Sequence, residues 1–236
     1  DGNRWYYSSL TDLDHIQEAI DTLAQMATPN PNIMEHPIVK AFEINKDNIM
    51  TYESQSVSSV PVAEKQKLLE EYLELLDHPE IVHHTSYYVD NRTVKSIYSS
   101  KGTAVTFDKQ TCGIRLNLEL SYGDNKDTAV VSKAAVRFEQ LKGLEDEFKK
   151  EIEKSIIFVK EAEPVVPGVY TVLLSPEATG VFTHESFGHK SESDFMVGDE
   201  TMKAEWALGK VIGQDLLNIV DDGTVIGNGY TPYDDE

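Results

Sequence analysis

Two histidines and a glutamate between positions 184 and 189 carry the clearest potential chemistry in the chain. The stretch from His184 to His189 reads HESFGH. Imidazole is the commonest metal ligand in proteins, and a carboxylate beside a ligand is placed to act as a general base. Residue type and spacing alone leave two interpretations open: a metal site with an acid–base group, or an ordinary polar helix surface.

The spacing of the two histidines limits the backbone that could bring them together. Each residue of a regular α-helix advances by about 100°, so His189 lies about 140° from His184. A one-residue helical bulge turns both rings to one side, and such bulges are frequent at functional sites. Gly188 is expected to ease the distortion, and Phe187 to point into the core. We therefore predict a bulge, kink or break between the histidines, near Gly188.

An apolar stretch leads into this polar motif. Residues 172–175 are expected to form a strand that ends at Pro176 in a turn or a helix start, and residues 180–183 then lead to His184. Burying a polar group is costly unless the group is paired or bound to metal. The apolar lead-in therefore favours the metal-site interpretation.

The segment from Thr183 to Phe195, THESFGHKSESDF, resembles the metal-binding helix of TldD-type peptidases in the TldD/PmbA family. The family's His-Glu-x-x-x-His pattern runs on into a Glu and an Asp-Phe pair, which Glu192, Asp194 and Phe195 match. Residues 220–224 and 234–236 resemble two further family segments, and residues 5–12 loosely resemble a third. The partner branch, PmbA or TldE, lacks the motif, so this chain is similar to the catalytic branch.

The resemblance implies a zinc-dependent peptidase for small or unfolded peptides. His184 and His189 would bind Zn²⁺, and Glu185 would be the general base that takes a proton from the activated water. The resemblance also implies an enclosed cavity within a homodimer, or within a heterodimer with a TldE-like chain. Two other functions stay open: a non-catalytic peptide-binding or partner subunit, and a metal-free structural domain with a vestigial motif.

The third zinc ligand is not evident in the sequence. In TldD-type enzymes it is understood to be a Cys far downstream of the motif, whereas Cys112 lies upstream of it. We expect Cys112 to be a small buried hydrophobic residue. The third ligand is expected beyond residue 236, with both ends of the chain truncated. Glu192 or Asp194 could orient a ligand, act as a weak oxygen ligand, or have only a structural role at the helix end.

Composition narrows the possible partners. The chain has 21 Lys and Arg against 41 Asp and Glu, a formal net charge of −20. Such a balance argues against nucleic acid and against anionic membranes, since both attract basic surfaces. There is no apolar run of 18 residues, so no membrane span is predicted. With one Cys, an internal disulfide is excluded, which fits a cytoplasmic protein.

Hydrophobic periodicity predicts an α+β fold, an antiparallel β-sheet meander with packed helices. A Pro-containing linker at 161–168 divides it into an N-terminal α+β domain, 1–163, and the start of a metallopeptidase domain with the metal-motif helix, 164–236. Helices are predicted near 11–26, 60–76 and 144–159. Strands are predicted at 38–43, 81–89, 93–99, 103–107, 114–120 and 128–138.

Overall fold

The computed structural model describes residues 4, 6–192, 196, 199–227 and 229–233. The chain has an α+β fold in which helices accompany one four-stranded sheet, as predicted. The strands are β1 (Lys46–Ile49), β2 (Ile81–Tyr98), β3 (Ala104–Tyr122) and β4 (Asn125–Ala135). The α-helices are α1 (Ile16–Met26), α2 (Pro37–Ala41), α3 (Val62–Leu73), α4 (Glu145–Glu161), α5 (Pro176–Thr183) and α6 (Glu200–Glu205). No helix in the described ranges is both long and apolar enough to cross a membrane.

The long strand β3 organises the sheet. β2 pairs with it antiparallel from Tyr98 back to Ile81, and β4 pairs antiparallel with residues 112–122 on the other side. This confirms the predicted antiparallel meander. The short β1 adds a parallel pairing to residues 104–107, so the sheet is mixed. A two-residue turn joins β3 to β4, and Gly123 adopts a φ of 58° there, which glycine tolerates best.

Alternation along β3 creates the core. Residues Ile114, Leu116, Leu118 and Leu120 are buried, whereas Arg115 and Glu119 between them are exposed. Such alternation is typical of a half-buried strand with one face toward solvent. The apolar face packs against α3 and α4. These helices contribute the buried side chains Leu68, Tyr72, Phe148, Ile152, Ile156 and Val159.

A buried polar group fastens the loop after β1 to the sheet. Asp108 is fully buried, and its carboxylate accepts the Tyr52 N–H at 3.1–3.2 Å and an Arg92 Nη2–H at 2.9 Å. Gln110 acts similarly, accepting from the Val57 N–H and donating to the Val136 carbonyl. Buried charges persist in proteins where they are paired and hydrogen-bonded. These polar contacts therefore fix the loop in place.

Four predictions about strands are wrong. The strands predicted at 103–107 and 114–120 are one continuous strand, β3. A break was expected between the strands predicted at 81–89 and 93–99, but β2 continues through Asp90 and Asn91, which pair with β3. The Asp90 carboxylate lies 2.5 Å from Lys65 Nζ of α3. The expected strand at 38–43 overlaps helix α2, which has Pro37 at its first position, where proline favours a helix start. Residues 172–175 form neither strand nor helix, although Val172 and Leu173 are apolar.

The segment after α4 differs from the sheet region. Residues 162–175 contain no helix or strand, and no described residue from 161 to 229 is buried. The chain then returns to the sheet: Tyr230 is buried with Tyr52 and Val136, and the Tyr233 ring lies 6.3 Å from that of Phe107. The division into domains at 163/164 stays a prediction.

Candidate metal centre

The motif directly follows helix α5, and the start of this helix is determined by local sequence. The Ser175 hydroxyl accepts the Ala178 N–H at 3.2 Å, and Pro176 takes the first helical position. A hydroxyl N-cap followed by proline at the first position is a strong helix-start signal. The expected helix start at Pro176 is therefore confirmed. α5 ends at Thr183, immediately before the first histidine.

The backbone then widens into a π-helical turn over His184–Gly188. The His189 N–H donates to the His184 carbonyl, five residues back, in place of the four-residue bond of an α-helix. A short 3₁₀ turn, His189–Ser191, follows. The predicted distortion between the two histidines is thus confirmed. It brings the two rings together, with centroids 4.4 Å apart and planes at 71°.

Two details of the predicted distortion are wrong. Gly188 has ordinary helical angles, φ −55° and ψ −58°, so the special freedom of glycine is not used. A Cβ built there would meet its nearest neighbour, His184 Nδ1, at 3.8 Å, an ordinary contact. Phe187 was expected to point into the core; it is only partly buried and packs edge-on against Trp206, with ring centroids 4.9 Å apart. Phe187 therefore packs against the Trp206 ring and not within the hydrophobic core.

The π-helical turn gathers three potential metal donors. One donor atom each from His184, Glu185 and His189 lies within 4.8 Å of the others, and all three residues are exposed. Glu185 Oε2 lies 3.8 Å from His189 Nε2. Two imidazole nitrogens with a nearby carboxylate suit Zn²⁺, which prefers nitrogen, sulfur and carboxylate oxygen ligands. Within the described ranges this is the one cluster of three or more His, Cys, Asp or Glu side chains so arranged.

The predictions for the two acidic residues after the motif, Glu192 and Asp194, differ in how far the structure tests them. Glu192 Oε1 lies 2.6 Å from His189 Nδ1, the ring nitrogen opposite the one that faces Glu185. Asp194, like Phe195, lies outside the described residues, and its role stays a prediction. The sequence raised Glu192 as a possible partner of a ligand, but only the geometry shows which ring and which nitrogen it contacts.

Cys112 takes no part in the cluster. It is buried in β3 and packs within the hydrophobic core, as predicted. Burial, and secondarily the negative charge of Asp90, raises the pKa of its thiol to about 11. The thiolate is the form of cysteine that binds metals. Burial in the hydrophobic core and a pKa that favours the protonated thiol both make Cys112 a poorer metal ligand than an exposed cysteine.

A hollow of about 1120 Å³ lies beside the π-helical turn. Ser186, Phe187 and Lys190 line it from the motif side, and Trp206 lines it from the end of α6, whereas the three potential donors do not. Sequence reasoning missed α6 and hence Trp206. A signal was present, because Asp199 caps the helix by accepting the N–H groups of two following residues, both at 2.9 Å.

Comparison with known proteins supports the resemblance to metallopeptidases. Residues 167–236 match a family described as the PmbA/TldA metallopeptidase C-terminal domain. A metalloprotease of Methanothermobacter thermautotrophicus is 30% identical, over 80% of this chain and 42% of its own length. The Metalloprotease MJ0996 of Methanocaldococcus jannaschii is 24% identical, over 99% of this chain and 52% of its own length.

A protein named zinc metalloprotease TldD homolog, from Saccharolobus solfataricus, is 29% identical over 61% of this chain and 32% of its own length. The chain thus spans about half the length, or less, of these curated relatives. No solved structure is significantly similar to it. The matched residues 167–236, the relatives named metalloprotease and the named TldD homologue together support the assignment of the chain to the TldD/PmbA family.

Proposed function

We propose that the protein is a zinc-dependent peptidase that acts on small or unfolded peptides. The observation that carries the proposal is the π-helical turn, which brings the imidazoles of His184 and His189 to one side of the chain with Glu185 between them in sequence. The name of the Saccharolobus relative, a zinc metalloprotease, supports the choice of metal.

The donor set fits zinc, and each side chain has a distinct role. His184 and His189 would hold the ion together with a third ligand. When bound, the ion would act as a Lewis acid and lower the pKa of a water molecule. Glu185 stays unligated, because a general base needs a free carboxylate. It accepts a proton from the attacking water and then donates that proton to the leaving amine. Its adjacency to His184 keeps the carboxylate beside the reaction centre.

Zinc content tests the ligand assignment. We expect the intact protein to bind about one zinc per chain and His184→Ala to lose most of it, since the site loses one of its two imidazole ligands. His84→Ala is the matched control, because His84 lies exposed on β2. Elemental analysis of the purified variants gives the answer. Full zinc content in His184→Ala would overturn the ligand assignment.

Peptide turnover tests the role of Glu185. Glu185→Gln keeps the shape of the side chain and removes the base, so we expect zinc content to persist and hydrolysis to fall by roughly 10²- to 10⁴-fold. Release of new amino groups from short unstructured peptides measures the rate. Glu177→Gln, an exposed carboxylate in the first turn of α5, is the charge-matched control. Unchanged turnover in Glu185→Gln contradicts the assignment.

The same experiment separates the alternative function. A non-catalytic peptide-binding or partner subunit would bind peptides without cutting them, and Glu185→Gln would then change nothing measurable. A metal-free domain with a vestigial motif would contain no zinc in the wild-type protein. Zinc-dependent turnover by the wild-type protein excludes both.

The proposal extends to assembly as a homodimer or as a heterodimer with a TldE-like chain. In support of this assembly, several large apolar side chains of the motif segment, residues 161–229, are almost fully exposed, among them Val169, Leu173, Leu208 and Leu216. Exposed apolar surface on this scale is typical of interaction sites. Light scattering of the intact protein, alone and mixed with a TldE-like chain, measures the assembled mass. A monomer in both samples would contradict the proposal.

A further inference from the structure

His189 is held between two carboxylates that contact different ring nitrogens. Its Nδ1 lies 2.6 Å from Glu192 Oε1, and its Nε2 lies 3.8 Å from Glu185 Oε2. An ionised carboxylate only accepts hydrogen bonds, so the short contact requires Nδ1 to carry the proton and to donate it. In the neutral ring the lone pair then belongs to Nε2. That nitrogen faces the donor cluster.

His184 lacks an equivalent partner. In the part of the chain that the structure describes, no carboxylate forms a hydrogen bond or ion pair with its ring, although the ring lies beside that of His189. The two imidazoles are therefore unequal: the orientation and tautomer of His189 are set by a neighbour, and those of His184 are not.

The local backbone explains why Glu192 reaches His189. The two residues are separated by three positions across the 3₁₀ turn His189–Ser191, in which side chains three apart lie on the same side. The Ser191 hydroxyl donates to the Phe187 carbonyl at 2.9 Å and ties this turn to the π-helical turn before it. The carboxylate thus approaches the ring from the side away from Glu185.

We propose that Glu192 is a positioning residue, which fixes His189 in the Nδ1–H tautomer and presents Nε2 as the metal ligand. This inference rests on the proposed zinc site, but it concerns a residue that does not itself bind the ion. Carboxylate partners of metal-binding histidines typically contribute 10- to 100-fold to metal affinity. Both side chains here are about half exposed, 48% and 49%, so we expect an effect near tenfold.

The first test needs no metal. Side-chain ¹⁵N chemical shifts of His189 in the metal-free intact protein report which ring nitrogen carries the proton. We expect the Nδ1–H form to dominate in the wild type, to give way to a mixture in Glu192→Ala, and to be partly retained in Glu192→Gln, whose amide oxygen still accepts a hydrogen bond. Glu177→Gln, which removes an exposed charge from α5, should leave the signals unchanged.

The second test measures zinc affinity by competition with a chromophoric chelator. Glu192→Ala should bind about tenfold more weakly than the wild type, Glu192→Gln should lie between them, and Glu177→Gln should match the wild type. Far-UV circular dichroism of each variant shows that the fold is intact.

The outcomes separate this inference from the proposed function. A wild-type protein that binds no zinc defeats the proposed function, yet the ¹⁵N measurement still decides whether Glu192 sets the tautomer. An unchanged tautomer and unchanged affinity in Glu192→Ala overturn the positioning role. A loss of hydrolysis with unchanged affinity and tautomer also overturns it, because Glu192 would then act in another way.

Discussion

The sheet region and the motif segment are built in different ways. Between β1 and the end of α4, sixteen side chains form one buried hydrophobic cluster, and even a carboxylate, that of Asp108, is completely enclosed. From residue 161 to 229 no described side chain is buried, and several leucines and valines are almost fully exposed. Yet the π-helical turn, His184–Gly188, lies in this exposed segment.

This difference shows that the motif geometry depends on short-range contacts. The Ser175 cap, the five-residue backbone bond from His189 to His184 and the Ser191–Phe187 hydrogen bond all join residues within five positions of one another. The Phe187–Trp206 ring contact is the longer link. The sheet instead depends on partners far apart in sequence, such as Tyr52 and Asp108. Mutations in the two regions should therefore have unequal effects on stability.

The largest loss in the free energy of unfolding is expected when Asp108 is replaced. Replacing it by alanine leaves the Arg92 side chain, only 19% exposed, without its carboxylate and frees the buried Tyr52 N–H. Removing one partner of a buried pair costs about 3–5 kcal/mol. Urea unfolding followed by circular dichroism measures the loss. Glu119→Ala, on the exposed face of the same strand, should change the unfolding free energy by no more than about 0.5 kcal/mol.

A matched pair of leucines tests the comparison most directly. Leu116→Ala removes a fully buried side chain of β3 and should lower the unfolding free energy by about 2–5 kcal/mol. Leu173→Ala removes a fully exposed one and should cost at most about 0.5 kcal/mol. A large loss at Leu173 in the intact protein would show that this side chain is covered there, which would sharpen the proposal of a partner surface.

The smallest effect, here on zinc affinity, is expected when Gly188 is replaced. Its backbone is helical and a Cβ would make only an ordinary contact, so Gly188→Ala should leave zinc affinity within about twofold. Alanine is also roughly 0.5–1 kcal/mol more favourable than glycine inside a helix. Chelator competition gives the affinity. A marked drop would mean that the added methyl group blocks His184 Nδ1 and that this nitrogen is the one that binds metal.

Local signals made much of the structure predictable. Apolar periodicity located α3 and α4, and the five-residue histidine spacing predicted the distorted turn. At Pro176 a turn or a helix start was expected, and the structure has a helix start. Helices α2 and α6 were missed although Pro37 and Asp199 are local helix-start signals, whereas the other failures involve distant partners. The pairing of Asp90 with Cys112 of β3 could not be recognised in the sequence, and neither could the parallel pairing of β1. The contact between Phe187 and Trp206 was missed for the same reason.

The continuation of β2 through Asp90 bears on solubility. In the described sheet, β2 pairs only with β3 and therefore forms one edge of the sheet. Long edges of this kind invite aggregation, and an inward-pointing charge is one of the devices that discourage it. Asp90, held by Lys65 near the middle of the edge, is such a charge. An acidic residue at which the sequence suggested a break in the strand thus gives this edge one of the features that discourage uncontrolled strand addition.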